Sequence, residues 1–339
     1  MIDGLVDFVL EVEEQRSLRI LQITDTQVID ASQSRYEDRL NSLEKINWAT
    51  NTMEANCFNY IKDLVKKTNP DLILITGDLV YGEFDDLGTS LKKYVKFMDG
   101  FEIPWAPIFG NHDNESIKGV DWQCEIIEKT SHSLFKRGSV TGNSNYTIGI
   151  VQSNELKRVI YMMDSNGCGN TQDPKIKRTV GFAEDQLIWF DETASRIESY
   201  AGNKVRSFVC YHIPTQEFAL AATCAGYQQT PCGNVTYTIG VDVPANNCDF
   251  GRRGEIFKGL HPVPGLLYLF KKHYVDGVFV GHSHLNSISV LYDGIRWTFG
   301  LKTGTYDRYD VEMLGGTFIE VCPDNSFKVE HVYQQKYTD

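Results

Sequence analysis

The chain has 339 residues, 42% of which are hydrophobic, and its formal net charge is −12 at neutral pH. A chain of this length and apolar content can bury one large core, and we expect residues 1–339 to form a single domain. The acidic balance argues against binding to nucleic acid or anionic membranes, which needs clustered Lys and Arg, but it does not exclude a phosphate substrate held by cations.

Apolar runs of strand length alternate with helix-length spacers through most of the chain. The strands predicted on this basis are Leu18–Thr24, Asp71–Thr76, Trp105–Phe109, Val205–Tyr211 and Val275–Val280. The stretch from Phe58 to Lys67, between the first two strands, is compatible with a helix. Strands that alternate with helices are typical of an α/β sheet.

The last third of the chain has a different pattern, with short apolar segments joined by turns. The predicted strands here are Ser287–Leu291, Ile295–Phe299, Gly316–Val321 and Phe327–Val332. Such segments predict added antiparallel strands or a second sheet.

Residues 214–253 are rich in Gly, Pro, Asn and Cys and have little periodic pattern. We interpret this segment as a loop inserted at the rim of a site, with a decorative surface insertion as the alternative. Three cysteines, Cys224, Cys232 and Cys248, lie in it, and a disulfide between two of them would pin the loop. The 8 cysteines of the chain include no CxxC pair, so no structural zinc site is predicted.

Signals for cellular location are weak. Sequons begin at Asn114, Asn145 and Asn234, and together with the cysteines they favour a secreted, lysosomal or vacuolar protein, while a cytoplasmic location stays open. The N-terminus has no basic segment before an apolar run, so no signal peptide is predicted. No apolar run reaches the about 18 residues that a membrane-spanning helix needs, and no membrane span is expected.

A polar cluster follows each of the five main predicted strands at its C-terminal end. The residues of these clusters that suit a transition metal or zinc are Asp25, Asp78, Asn111, His212, His282 and His284. A single Asp after a strand is usually a turn or cap residue, and a single His is usually hydrogen-bonded within the fold. Five clusters at the edge where α/β sheets bind ligands instead predict a shared metal site.

The clusters also carry an ordered set of motifs. In chain order they read Asp25-Thr26-Gln27, Gly77-Asp78, Gly110-Asn111-His112-Asp113, His212 and Gly281-His282-Ser283-His284. From Leu18 to about Val332 this set resembles the calcineurin-like metallophosphoesterases, with their DxH, GDxx, GNHD, single His and GHxH pattern. The runs GNHDNES and YHIPTQEF are similar to the single-domain group related to purple acid phosphatases. The resemblance implies a four-layer αββα sandwich of two mixed sheets flanked by helices.

The resemblance further implies a role for each site residue. Asp25 and His284 would bind a first metal ion, Asp78 would bridge two ions, and a second ion would take the ligands Asn111, His212 and His282. His112 would face the leaving-group oxygen, with Asp113 orienting its imidazole. Two ions about 3.5–4 Å apart would bind the phosphate and form a bridging hydroxide as nucleophile. A protonated His112 would contribute roughly 10²–10⁴-fold to the rate.

One position departs from the family pattern. Gln27 stands where most members have the His of DxH, and a Gln oxygen is a weaker ligand than imidazole. Purple acid phosphatases use a Tyr from GDxxY instead, and Tyr81 lies at that spacing from Asp78. Tyr81 would then bind Fe(III) as phenolate, because ionising a group with an ordinary pKa of about 10 needs a trivalent cation. The alternative is that Tyr81 only packs near the site.

The expected enzyme is therefore a metallophosphoesterase that hydrolyses phosphate monoesters, like an acid phosphatase or a protein phosphatase. Its substrate would be a phosphorylated small molecule or a phosphoprotein, and its cofactors Fe(III) with Zn, Mn or Fe(II), or two divalent ions. A phosphodiesterase that uses the same site is one alternative. Another is a degenerate metal-binding interaction scaffold, which Gln27 favours and the retention of His112 opposes.

Overall fold

The computed structural model describes residues 4–30, 32, 42, 51–167, 181–227, 249–257 and 262–334. The strands in these residues are β1 (Phe8–Val12), β2 (Leu18–Ile23), β3 (Leu72–Thr76), β4 (Trp105–Ile108), β5 (Tyr146–Gln152), β6 (Glu155–Met162), β7 (Arg206–Cys210), β8 (Val275–Val280), β9 (Ser289–Tyr292), β10 (Ile295–Phe299), β11 (Gly315–Val321) and β12 (Phe327–Tyr333). The α-helices are α1 (Asn51–Thr68), α2 (Thr89–Asp99), α3 (Gly119–Glu128), α4 (Glu184–Ala201), α5 (Gln216–Cys224) and α6 (Leu266–Lys272). Short 3-10 turns cover Gly82–Phe84, Asp113–Glu115 and Val311–Met313.

Within the described residues, the strands form two mixed sheets. One sheet has the order β1-β5-β6-β7-β8-β10-β9, in which β5–β6 and β9–β10 are antiparallel and the other neighbours are parallel. The other has the order β12-β11-β2-β3-β4, in which β2, β3 and β4 are parallel. Parallel neighbours end at one edge, so the carboxyl ends of β2–β4 form one row and those of β7 and β8 another.

The two sheets pack face to face with helices outside them. Phe208 of β7 contacts Phe327 of β12 with 4.8 Å between ring centroids, so the sheets meet through apolar side chains. α1 packs on β2 and β11 of the smaller sheet. Phe190 of α4 contacts Tyr161 of the larger sheet at 4.7 Å. The predicted architecture of two mixed sheets flanked by helices is confirmed.

One predicted loop contains a helix. Within residues 214–253, which we expected to be loop, α5 forms because Ala-rich sequence favours helix and because Phe218 packs on Trp297 and Phe299 of β10. Cys224 at the end of α5 is a free thiol. The other two cysteines considered for the loop disulfide lie outside the described residues, namely Cys232 and Cys248. The sequon at Asn234 lies outside them as well.

The asparagine side chains of two sequons donate hydrogen bonds to backbone carbonyls within the fold. The side chain of Asn145 is 2% exposed, and its amide donates to the carbonyl of Thr141 at 2.9 Å. The amide of Asn114 donates to the carbonyl of Gly167 at 2.8 Å. The side chain of Asn145 is therefore buried, whereas that of Asn114 is partly exposed. Among the described residues, no helix is long and apolar enough to cross a membrane.

Candidate metal centre

Three of the predicted ligands lie in sharp turns at the carboxyl ends of strands. Asp25 follows β2, Asp78 follows β3 and His282 follows β8, and their φ angles are 51°, 53° and 69°. This left-handed backbone is rare for residues with a Cβ atom, and such strain clusters at functional sites. The backbone N–H of His282 donates to Oδ2 of Asp25 at 3.0 Å, so the turns from the two sheets meet.

Two glycines allow these turns to approach one another closely. A Cβ atom at Gly281 would lie 2.0 Å from Oγ1 of Thr24, and a Cβ atom at Gly110 would lie 2.2 Å from Oδ1 of Asp78. Neither space holds a side chain without moving the neighbouring turn. The glycines of the Gly-His and Gly-Asn motifs are therefore needed for the turns to pack together.

The first predicted metal position brings three donors together. The carboxylates of Asp25 and Asp78 and the imidazole of His284 have donor atoms within 4.8 Å of one another. Nε2 of His284 lies 3.2 Å from Oδ1 of Asp25, and its Nδ1 lies 2.8 Å from the carbonyl of Arg308. Since a carbonyl only accepts, Nδ1 donates to it, and Nε2 is the ring nitrogen that faces the carboxylate oxygen and could bind a metal ion. A cation between these two atoms would satisfy both.

The second predicted position has the same character. Oδ1 of Asn111 lies 3.1 Å from Nε2 of His212 and 2.7 Å from Nδ1 of His282. Nδ1 of His212 faces the carbonyl of Thr76 at 2.8 Å, so its Nε2 is the nitrogen left for a ligand bond. That Nε2 is also 3.4 Å from Oδ2 of Asp78, which thus lies between both donor sets. The donor chemistry fits two ions of Zn, Mn or Fe.

The histidines at this edge keep the buried carboxylates ionised. Burial by itself would raise the pKa of Asp78, but the charges of His212 and His112 hold that pKa well below its usual range. Burial of Asp25 is likewise outweighed by His284 and His212, and its pKa is lowered to about 2. Burial would lower the pKa of His212, but Asp78 raises it to about 9. A bound cation would replace this proton, so protons and metal ions compete for the site.

The imidazole of His112 pairs with Glu115 and not with Asp113. Nδ1 of His112 lies 2.9 Å from Oε2 of the fully buried Glu115. Asp113 instead accepts hydrogen bonds from the backbone N–H groups of Val80 at 3.0 Å and Gly110 at 2.7 Å. The prediction that Asp113 orients this imidazole is therefore wrong. In the 3-10 turn Asp113–Glu115, the carboxylate of the first residue accepts from backbone N–H groups, and the carboxylate of the third residue contacts the imidazole. Asp113 ties together the turns that carry Asp78 and Asn111.

His112 also contacts Asp78 and Tyr81. Its backbone N–H donates to Oδ1 of Asp78 at 2.8 Å. Burial by itself would lower the pKa of His112, but the carboxylates of Glu115 and Asp78 raise it to about 10. The ring of Tyr81 stacks on the imidazole with 3.9 Å between centroids. Tyr81 belongs to an apolar cluster with Ile29, Phe84 and Tyr306. These contacts agree with a packing role, and Tyr81 as a metal ligand stays a prediction.

Gln27 has a partner that the sequence analysis missed. Nζ of Lys302 donates to Oε1 of Gln27 at 2.6 Å and to the carbonyl of Asp25 at 2.9 Å, while Nε2 of Gln27 donates to Oδ2 of Asp78 at 3.2 Å. Burial lowers the pKa of Lys302, and the carboxylates of Asp25, Asp307 and Asp78 oppose this shift. Lys302 lies three residues after the end of β10. Like the predicted ligands, it is a polar residue just past the end of an apolar strand, and this sequence pattern could have predicted it.

Comparison with known proteins gives a consistent result. The model of the calcineurin-like phosphoesterase family matches residues 18–286. The chain is 25% identical to an uncharacterized protein of Schizosaccharomyces pombe, over 81% of this chain and 47% of that protein. It is 22% identical to the probable inactive purple acid phosphatase 29 of Arabidopsis thaliana, over 83% of this chain and 70% of that protein. It is 27% identical to the phosphatase DCR2 of Saccharomyces cerevisiae, over 67% of this chain and 38% of that protein. The chain thus spans about half or less of the length of the two yeast relatives.

Proposed function

Because the chain belongs to the calcineurin-like phosphoesterase family, whose members depend on two metal ions, we propose that it hydrolyses phosphate monoesters at a two-metal centre. The observation that carries the proposal is the position of Asp78 between two donor sets whose imidazole nitrogens face oxygen acceptors. In the chain alone histidine protons balance these oxygens, and bound cations would take the place of those protons.

The proposed ligands divide between two positions. Asp25 and His284 hold one ion, Asp78 bridges, and the other ion takes the remaining three ligands, Asn111, His212 and His282. The two ions, when bound, supply Lewis acidity toward the phosphate and a nucleophile from water near neutral pH. Fe(III) with Zn, Mn or Fe(II), or two divalent ions, match these oxygen and nitrogen donors. If Tyr81 binds Fe(III) as phenolate, the concentrated iron-loaded protein is purple, and a colourless one contradicts that ligand.

His112 is the proposed proton donor to the leaving group. Its Nδ1 is held by Oε2 of Glu115 at 2.9 Å, which leaves Nε2 as the ring nitrogen that would donate the proton. Stacking on Tyr81 limits rotation of the ring. Glu115 also stabilises the imidazolium form, so the proton is available when the ester oxygen departs. Asp113 contributes by accepting a hydrogen bond from the backbone N–H of Gly110, at the start of the turn that carries Asn111 and His112.

An assay with an aryl phosphate monoester and the corresponding diester, after loading with Mn, Zn or Fe, tests the proposal. We expect the monoester to react faster and the variant His112→Asn to lose roughly 10²–10⁴-fold in kcat at unchanged metal content. His132→Asn is a matched control, because His132 pairs with Asp99 on a partly exposed surface. An unchanged rate in His112→Asn would refute this proton donor.

Two other functions remain outcomes of the same assay. Faster hydrolysis of the diester would replace the monoesterase by a phosphodiesterase. An interaction scaffold is favoured by the engagement of Gln27 with Lys302 at the position where most family members have a ligand. A wild-type protein that binds metal ions but is inactive with every metal tested would support the scaffold.

A further inference from the structure

We propose that Lys302 locks Gln27 as a hydrogen-bond donor to Asp78, so that Gln27 is not a metal ligand and the two metal positions differ in affinity. The inference rests on the proposed two-metal function and concerns the first position, beside Asp25. Gln27 and Lys302 are 0% and 1% exposed, so water does not compete for their hydrogen bonds.

The chemistry of the partners fixes the orientation of the Gln27 amide. The Nζ group of Lys302 has only donors, and the ionised carboxylate of Asp78 has only acceptors. Oε1 must therefore face Lys302 and the NH₂ group must face Asp78, as observed at 2.6 and 3.2 Å. A flipped amide would set NH₂ against Nζ and oxygen against carboxylate, which loses both hydrogen bonds.

Lys302 is itself held in place from two directions. The backbone N–H of Thr303 donates to the carbonyl of Thr24 at 2.9 Å, in a parallel bridge between Thr24 and Lys302 just past the ends of β2 and β10. Nζ donates a second hydrogen bond to the carbonyl of Asp25. Because the lysine is anchored on both the backbone and the side chain, Gln27 cannot turn its oxygen to the ion without breaking a buried hydrogen bond.

The two metal positions then receive unequal donor sets. The first position takes Asp25, Asp78 and His284, and the ammonium of Lys302 lies two hydrogen bonds from its bridging ligand. The second position takes Asp78 and three more ligands. A phenolate ligand from Tyr81 would require Fe(III), so with Mn²⁺ the first position has fewer donors and lies near a positive charge, and its ion is the more weakly held.

Calorimetric titration of the metal-free full chain with Mn²⁺, with Mn content checked by elemental analysis, tests the inference. We expect two binding steps for the wild type, of which His284→Ala removes the weaker and Asn111→Ala the tighter. Lys302→Met keeps the length of the side chain but removes its donors and charge, and it should tighten the weaker step at least about tenfold. Lys93→Met, on the exposed surface beside Glu54, is the matched control and should leave both steps unchanged.

The outcomes separate this inference from the proposed function. If Lys302→Met weakens the first position or leaves it unchanged, Lys302 merely supports the fold and the inference is wrong, although the two-metal site stands. If the wild type binds neither Mn²⁺ nor the Zn or Fe of the activity assay, the proposed function fails as well. A crystal structure of the Mn-loaded wild type gives a second test that needs no variant, and Oε1 of Gln27 bonded to Mn would overturn the inference.

Discussion

The two ends of the strand sandwich hold buried charge in different ways. At the amino ends of β6 and β8, Arg158 and Asp276 form a buried pair with two hydrogen bonds, and Arg206 donates to the same carboxylate at 3.0 Å. At the carboxyl ends, the carboxylates of Asp25 and Asp78 face Nε2 of His284 and His212, whose other ring nitrogens face backbone carbonyls. The chain supplies a permanent countercharge at the first end, whereas the second end depends on histidine protons or bound cations.

The difference separates a structural role from a chemical one. A guanidinium stays charged at every accessible pH, so the pair at the amino end does not change with conditions. Carboxylates and imidazoles that share protons respond to pH and to metal ions, which is the property expected of a reaction centre. Substitutions at the carboxyl end should therefore change activity and metal binding, whereas those at the amino end should change stability alone.

The largest effect is expected from Asp78→Asn. The amide keeps the size of the side chain but removes the bridging charge, so activity should fall roughly 10³-fold or more, and binding of both ions should weaken. The unfolding midpoint of the metal-free protein should fall as well, because His212 and His112 hold the pKa of Asp78 below its usual range and the ionised carboxylate therefore stabilises the fold at neutral pH. Measured kcat and metal content check the first part, and thermal unfolding in chelator checks the second. Retained activity would contradict the bridging role.

Asp276→Asn at the amino end is expected to lower stability without lowering activity. Loss of this carboxylate leaves the buried guanidinium of Arg158, which is 0% exposed, without its charge partner. The free energy of unfolding should fall by about 3–5 kcal/mol, while kcat per folded molecule stays unchanged. Urea denaturation followed by circular dichroism measures the first quantity. A loss of kcat in the folded variant would show that the two ends are coupled.

The smallest effect is expected from His331, whose two ring nitrogens both have hydrogen-bond partners within the protein. Nε2 faces the carbonyl of Ser287 at 2.7 Å and Nδ1 faces the hydroxyl of Thr317 at 3.0 Å. Burial lowers the pKa of His331 from 6.5 to about 4. Because the folded pKa is the lower one, this histidine stabilises the fold above pH 6.5, and that contribution is lost as the pH falls toward 4.

His331→Gln should therefore reduce the loss of stability between pH 7 and pH 5 by about 1–2 kcal/mol. Urea denaturation at both pH values, with excess chelator, measures the difference. Identical pH dependence in the variant and the wild type would contradict the depressed pKa of His331. Added Mn²⁺ should not change the contribution of His331, in contrast to that of the ligand histidines.

Much of the centre was predictable because local sequence carries it. An apolar run that ends in Gly-Asp or Gly-Asn predicts both a buried strand and a metal-binding side chain at its end. The strands β3 and β4 lie within one residue of where these runs predict them. The strands β5 and β6 were missed. They are joined by Ser153 and Asn154, whose φ angles of 53° and 61° make a tight hairpin without the glycine that usually signals one.

The sequence by itself determined which residue types stand at the strand ends, and hence the family, the two mixed sheets and the metal-binding chemistry. Only the tertiary structure decided which groups act on one another. Asp113 and Glu115 are two positions apart, yet a single 3-10 turn sends their carboxylates to different partners. Lys302 and Gln27 are separated by 275 positions, and they meet because β10 and β2 end beside each other. Local patterns encode strand ends and donor types, whereas pairings across the fold depend on how the two sheets pack.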